Sequence, residues 1–404
     1  MSTTELATEP ADLPLEGVLV VDMSQFLAGP LSSLKLADLG ARVIKIERPG
    51  KGDLSRNLYL SDTEVGGTNT LFHAINRNKE SFAADLKSAT DIGKLRSLIA
   101  RADVLIQSFR PGVIDRLGLG YEAVRAINPG IVYASISGYG GALAWKDLPG
   151  QDLLAQARSG LMWLTGNADQ PPLPMGLAVA DIMAGNAAIQ GILAALVRSQ
   201  RKREGALIEV SLLESVLDLQ FEVLTTYLND GNKAPRRSSL SNGHAYLPAP
   251  YGVYETLDGY IAIAMVPIDQ LGMLLNSAEL LAYTARRRWF TERDQIKSIL
   301  SKILRAKPTA HWIEIFVAAD AWACEVLDWQ TLMGHDAFRQ LDFVQELDGE
   351  SGEKIRTTRC PIRLDGRMLK SAKPAPAVGA HTAAIEAEFD LKTDPDDANN
   401  GRGS

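Results

Sequence analysis

The sequence predicts an α/β protein: a large doubly wound domain built on a parallel sheet, followed by a smaller α/β domain. Two observations carry this. Between residues 17 and 137, short β-branched apolar runs alternate with helical patterns, as successive βαβ units require. Past residue 229 the pattern changes to a hairpin and then a helical stretch. At 404 residues the chain is long enough for two or three domains.

Residues 1–14 (MSTTELATEPADLP) are polar and acidic and read as a flexible leader; without an apolar core or basic flank they are not a signal peptide. Residues 17–22 (GVLVVD) form a buried strand, 28–39 a helix and 42–47 (RVIKIE) a second strand. The intervening turn, SQFLAGP, places Gly29 and Pro30 at the helix entry. It carries no GxGxxG fingerprint, so a dinucleotide is not supported. The alternation then repeats: helix at 91–100, strand at 103–109 (DVLIQSF), short helix at 121–127, strand at 131–137 (IVYASIS). A helical stretch at 152–164 and a Pro-rich link at 170–174 lead to a long apolar helix within 176–196. A strand at 207–210 and a helix at 211–228 complete a large domain spanning 15–228. Residues 229–250 are a polar linker or active-site loop. Runs at 251–256 and 260–265 pair as a hairpin through Leu257, Asp258 and Gly259, and helices fill about 268–330. Linker and small domain therefore span 229–332, residues 333–391 return to the large domain, and 392–404 form a disordered tail.

Composition narrows the function. A net charge of −7 argues against nucleic acid or an anionic membrane as the main partner. The basic run RSQRKR at 198–203 is the solvated end of the apolar helix. Two cysteines, Cys324 and Cys360, suggest no disulfide framework and fit a reducing compartment. No uncharged apolar run is long enough to span a bilayer, so a cytoplasmic location is expected. Histidines 73, 244, 311, 335 and 381 lack zinc-ligand spacing, and neither a GxSxG elbow nor a P-loop is present.

The segment GLAVADIMAGNAAIQGILAAL (176–196) holds the sharpest candidate. Asp181 falls in the first turn of its helix, where unpaired N–H groups and the dipole favour the ionised form. A capping role is one reading. The other is a nucleophile, because a carboxylate beside Met183, Ala184 and a Gly/Ala-lined face is unfavourable unless something binds it. Gly185, Ala187, Ala188 and Gly191 leave one helix face open to another backbone or to a ligand.

In a doubly wound sheet, ligands lie outside the carboxyl ends of the strands. The loops there carry Arg48, Arg56, Arg110 and Arg116, which are expected to converge on one rim. Each alone reads as solvated surface; together they suggest an anionic, phosphorylated ligand.

These segments, in order, resemble the class III coenzyme A transferases, a family that includes formyl-CoA and carnitine CoA-transferases, with α-methylacyl-CoA racemase as a relative. The matching blocks are LAGPLSSLKLADLGARVIKIERPGKGD (27–53), NRNKES and DLKS (76–88), SFRPGVIDRLGLGYE (108–122), PGQDLLAQARSGLM (149–162), VADIMAGNAAIQGILAAL (179–196), PYGVYETLDGYIAIA (250–264) and PAPAVGAHT (374–382). The resemblance implies a Rossmann-like large domain joined to a small one, with two chains interlocked as a homodimer. It implies acyl-CoA and a carboxylic acid as substrates, with no tightly bound cofactor and no metal. Asp181 would be the nucleophile, passing through a mixed anhydride to an aspartyl-CoA thioester. Arg48 and Arg116 fall where the family contacts the phosphates and adenine of CoA. Leu27, Ala28, Ala84, Asp85, Leu86, Lys87, Ser108, Phe109 and Arg110 fall on its other CoA-contacting segments, and Gln151 and Asp152 match positions beside the thioester and nucleophile.

One departure separates the branches. The racemases carry a His where this chain has Gln151, and need two bases, one on each face of the α-carbon. Gln151 takes no proton, which favours a transferase over a 2-methylacyl-CoA racemase. A catalytically silent CoA-binding homologue, with Asp181 only a cap, is the third reading. The glycine-rich loop of formyl-CoA transferase has no counterpart in 229–250, which speaks against formyl/oxalate specificity. Arg236, Arg237 and His244 in that linker are candidates to read a second carboxylate, against a solvated loop as the plainer reading.

Overall fold

The computed structural model describes residues 13–58, 63–141, 144–350 and 352–391. The expected leader, apart from residues 13 and 14, and the expected tail at 392–404 lie outside the described residues. Two compact units emerge. The first comprises described residues up to 155, then 179–216 and from 342 onward; the second comprises 156–178 and 217–341. Segments 156–178 and 217–228, expected in the large domain, group with the second unit.

The first unit is built on a six-stranded parallel sheet. Its strands are β1 (Leu19–Asp22), β2 (Arg42–Glu47), β3 (Lys79–Ala83), β4 (Val104–Gln107), β5 (Val132–Ser137) and β6 (Ala206–Ser211), in the order β3-β2-β1-β4-β5-β6. The connecting helices are α1 (Ala28–Asp38), α2 (Thr70–Asn76), α3 (Ala89–Ile99), α4 (Tyr121–Ile127), α5 (Asp152–Arg158) and α6 (Val179–Lys202). The order reverses between β1 and β4, so their loops diverge there and leave a crevice at the carboxyl ends. The turn after β1 is tied across that switch, the Gln25 amide donating to Ser108 Oγ at 3.0 Å. One core cluster packs Val21, Ile44, Phe82, Leu95, Leu98, Leu105 and Tyr133 between sheet and helices.

Strand β3 escapes the sequence pattern because Lys79 and Glu80 interrupt it. It is nevertheless an edge strand with a cover, which removes the hazard of unpaired strand groups. The His381 amide donates to the Ser81 carbonyl at 3.0 Å, and the Ala83 amide to Thr382 Oγ1 at 2.9 Å. These contacts seat the returning chain, which ends in the helix Thr382–Glu388, on the sheet edge.

Helix α6 is long and apolar enough, by length and composition, to cross a membrane, but it is not buried all round as expected: one face, with Ala180, Ala184, Ala188 and Ile192, is buried against α1 and the sheet, and Val197 is exposed. Its glycines are closely packed against neighbouring elements. A Cβ on Gly185 would sit 2.8 Å from the Ala28 carbonyl oxygen, and one on Gly191 2.8 Å from the Ile208 side chain. The face left open by glycines is filled by α1 and β6.

Under the carboxyl ends of β1, β2 and β3 lies a set of buried charges. Asp22 pairs with Lys79 at 3.2 Å, Lys45 with Asp53 at 2.7 Å, and Glu47 with Arg56 at 2.7 Å. Burial alone would raise the Asp22 pKa, but Lys45, Lys79 and the hydroxyls of Ser24 and Ser33 hold it at about 2. Burial lowers Lys79 to about 8, with Asp22 opposing it.

In the chain, β6 leads into α7 (Leu212–Leu219) and α8 (Phe221–Asn229), so the helix expected at 211–228 is broken at Gln220. The second unit centres on an antiparallel sheet of β7 (Gly252–Glu255), β8 (Tyr260–Ile263) and β9 (Ala323–Glu325) in the order β9-β8-β7, with α9 (Ile268–Leu274), α10 (Arg293–Leu304) and α11 (Thr309–Ala318). Its core holds Tyr254, Ile261, Leu271, Ile296, Leu300 and Phe316.

Removing one member of the buried ion pairs leaves an uncompensated charge. Lys79→Met is expected to lower the unfolding free energy by about 3–5 kcal/mol. Urea denaturation reads this, and an unchanged midpoint would refute the stabilising role assigned to the pair.

Candidate active site

Helix α6 starts with backbone N–H groups that need acceptors. They find one from another segment: Asp152, the first residue of α5, accepts from the Ala180 amide at 2.6 Å and the Asp181 amide at 3.3 Å. The cap is Asp152, not Asp181. Among the described residues, nothing donates a hydrogen bond or ion pair to the Asp181 carboxylate, which is partly buried. Burial, and then the charge of Asp152, push its pKa up to about 7. This reverses the expectation that the helix start holds Asp181 ionised: the amides that would favour its charge are taken by Asp152. An unpartnered, unusually basic carboxylate is chemically a nucleophile or a base near neutrality.

The other site residues expected from the sequence occupy carboxyl ends of adjacent strands. Leu27 and Ala28 follow β1, and Arg48 follows β2. Ala84, Asp85, Leu86 and Lys87 follow β3, while Ser108, Phe109, Arg110 and Arg116 follow β4. Ala28 and Ala84 are buried; Arg48, Asp85, Lys87, Arg110, Arg116 and Gln151 are exposed. A parallel sheet places all of these loops on one edge.

The arginines do not form the single rim expected. Arg56 is withdrawn: its guanidinium donates to both Glu47 oxygens and to the Pro376 carbonyl, and stacks 3.6 Å from the Phe72 ring centroid. Arg48 lines an open cavity of about 720 Å³ with Gln25, Lys51, Asn57, Thr68 and Ala377. Phe109 and Arg110 line a separate cavity of about 250 Å³ with Tyr121, Ser137 and Glu214. Arg116 lines neither.

In the second unit, Arg237 is not available to a substrate carboxylate. Its guanidinium donates to the carbonyls of Thr165, Gln170 and Pro171 at 2.6, 2.7 and 3.4 Å. His244 stands 3.9 Å from Glu222 and edge-on to Tyr251. Arg236 is exposed.

Sequence reasoning missed Gln25, Lys51 and the buried charges Asp22, Lys45, Asp53 and Lys79 that hold the β1 and β2 loops. A signal was present: a lysine inside the apolar strand RVIKIE and an aspartate closing LVVD are buried charges of opposite sign on neighbouring strands.

The raised Asp181 pKa carries a stability consequence. The unfolded carboxyl ionises near 4 and the folded one near 7, so the folded state loses stability across that interval and stays penalised above it. Asp181→Asn removes the penalty. It is expected to raise Tm by a few degrees at pH 8 and by less at pH 5; thermal unfolding showing equal gains at both would contradict the shift.

Comparison with known proteins identifies the family. The model of CoA-transferase family III matches residues 15–382. The chain is 32% identical over 378 residues to the succinyl-CoA:glutarate CoA-transferase of Mus musculus, covering 92% of this chain and 85% of that one. It is 35% identical over 384 residues to the acetyl-CoA:oxalate CoA-transferase of Acetobacter aceti, covering 93% and 96%. The crystal structure of a CAIB/BAIF family protein from Brucella suis superposes with a TM-score of 0.81 at 31% identity, covering 94% of this chain and all of that one. The chain therefore belongs to CoA-transferase family III and is an enzyme of that class.

Proposed function

We propose that this enzyme moves CoA from an acyl-CoA donor to a carboxylic acid through an aspartyl-CoA thioester on Asp181. The observation that carries the reading is the division between two carboxylates: Asp152 caps α6, and Asp181 is left unpartnered with a pKa of about 7.

The steps balance without an added proton or oxidant. An Asp181 oxygen attacks the donor's thioester carbon; the C–S bond breaks, CoA leaves as thiolate, and a mixed anhydride remains. The thiolate attacks the aspartyl carbonyl, releasing the donor acid as carboxylate and forming aspartyl-CoA. The acceptor carboxylate attacks that thioester, again releasing thiolate and leaving a second mixed anhydride. Thiolate then attacks the acceptor's acyl carbon, giving the new acyl-CoA and free Asp181. Covalent catalysis divides one difficult exchange into easier ones. The like-charge pair favours it: acylated Asp181 is neutral, so repulsion from Asp152 present in the resting enzyme is absent in every covalent intermediate.

Leu27, Ala28, Arg48, Ala84–Lys87, Ser108–Arg110 and Arg116 hold CoA in this reading, which their placement at the carboxyl strand ends and the family resemblance support. Gln151 lies beside Asp152 and, as a neutral amide, does not serve as a racemase's second base. The acceptors named for two relatives, glutarate and oxalate, are dicarboxylic acids, and we extend that class to this enzyme. The reading includes an interlocked homodimer, supported by the family resemblance, and a cytoplasmic location, supported by the composition.

Incubation with succinyl-CoA or acetyl-CoA, hydroxylamine trapping and mass spectrometry is expected to yield a hydroxamate on Asp181. No adduct, with solvent deuterium entering the α-carbon of a 2-methylacyl-CoA, would replace the transferase reading with the racemase. Asp152→Asn tests the pair. The Asn oxygen still caps α6, but the neighbouring charge is gone, so the acidic limb of kcat/KM, set near pH 7 by Asp181, is expected to move to lower pH. A limb that stays in place would remove Asp152 from this role.

A further inference from the structure

The second unit contains an open cleft of about 600 Å³ between the loop around Asn167, the loop around Asn242, hairpin β7–β8 and helix α10. The carboxamides in its walls are all turned the same way. Three carboxamides line it, and each has its oxygen occupied by a backbone amide: Asn167 Oδ1 accepts from Asn242, Gln170 Oε1 from Asn167, and Asn242 Oδ1 from Ser238, at 3.0, 2.7 and 2.9 Å. An N–H donor at each oxygen fixes which way the amide is turned. The Asn242 NH₂ group is in turn satisfied by the Gly166 carbonyl at 3.0 Å. The NH₂ groups of Asn167 and Gln170 have no partner among the described residues, and neither do the hydroxyls of Ser298, Ser301 and Tyr260 nor the Lys302 ammonium. Of the cleft's other charges, Arg305 and Glu255 neutralise each other at 2.5 Å, leaving Lys302 in excess.

The loops that present these groups are held by cations wholly consumed in the task. Arg237 bridges the carbonyls of Thr165, Gln170 and Pro171. Lys297, with no exposed surface, donates to Ser238 Oγ at 3.0 Å and the Ser241 carbonyl at 2.9 Å. Arg293 donates to the carbonyls of Ala245 and Arg236. A preorganised concave surface whose carboxamide oxygens are occupied, whose free amide and hydroxyl groups can donate, and which carries one net positive charge is complementary to an oxygen-rich anion.

We propose that this cleft is an accessory binding site for a small oxyanion, a carboxylate or phosphate group carried by a free metabolite. It is built entirely from the second unit and uses none of the residues assigned to CoA or to Asp181, so it stands or falls apart from the catalytic reading.

The full chain, saturated with CoA, is titrated by calorimetry at constant ionic strength with succinate and, separately, with inorganic phosphate, chloride serving as the control. For at least one oxyanion a saturable site is expected that the paired variant below loses; succinate held as an acceptor at the catalytic site persists in that variant and is subtracted, so the anion that loses a site identifies the group. The paired variant Asn167→Asp with Gln170→Glu keeps each accepting oxygen, and so the loop contacts, while exchanging both free NH₂ donors for anionic oxygen. It is expected to weaken binding at least tenfold, with CoA affinity and Tm unchanged. Absence of binding by both oxyanions at millimolar concentration, or isotherms for both that are the same in the paired variant as in the unaltered chain, would overturn the site. Should the paired variant fail to fold, Lys302→Glu is read by the same criteria.

Discussion

The carboxyl edge of the sheet depends on opposite charges buried beneath it. Asp22 ends β1, Lys45 sits in β2 and Lys79 opens β3, all without exposed side-chain surface. Three neighbouring strands thus meet through charge as well as backbone ladders. Desolvating such groups is unfavourable unless every partner is in place. Here the partners extend into the loops: Lys79 donates to the Pro30 carbonyl at the start of α1, and Lys45 to the Ser24 carbonyl in the β1 turn and to Asp53 beyond β2. Glu47 receives Arg56, Ser81 and the Asp53 amide. The constraint therefore specifies where the turn at Leu27 and the loop after Arg48 lie, which are the places a ligand at a switch point would meet.

A second division of labour operates at α6. Helix starts attract carboxylates, and an aspartate in the first turn would ordinarily be spent on capping. Supplying that carboxylate from α5 has two consequences. The helix is satisfied without Asp181, and the capping charge lies close enough to oppose ionisation of Asp181. The same residue thus stabilises the helix and destabilises the ionised form of Asp181. Close packing makes this geometry possible, since Gly185 lets α6 approach the first turn of α1.

Much of this was legible in the chain because it rests on local pattern. The apolar runs at β1, β2, β4 and β5, the hairpin β7–β8 and the position of Asp181 in the first turn of α6 all follow from periodicity and composition. What escaped is long-range. Strand β3 reads as polar because its lysine is neutralised by Asp22, 57 residues away in sequence. Arg56 looked like its exposed neighbour Arg48 because residue type does not reveal that Glu47 and Phe72 close over it. The role of Asp152 was equally hidden: its donors lie 28 and 29 residues further along. A helix-start rule applied within one segment assigns the cap to the nearest carboxylate, and here the nearest carboxylate was the wrong one.

The basic side chains separate into two groups by where their donors go, and that separation is more informative than their count. Arg56, Arg237, Arg293 and Lys297 direct theirs to carbonyls, hydroxyls or a buried carboxylate. Removing such a group would leave buried acceptors unpaired, so these cations belong to the architecture. Arg48, Arg110, Arg116 and Lys302 are exposed and bind none of the described residues, and three of them line cavities. A cation left unsatisfied at a concave surface retains its full capacity for an incoming anion, and the loops that present it pay no further ordering entropy when that anion arrives. Both proposed anion sites, at the carboxyl edge of the sheet and in the cleft beside α10, draw on cations of this second kind.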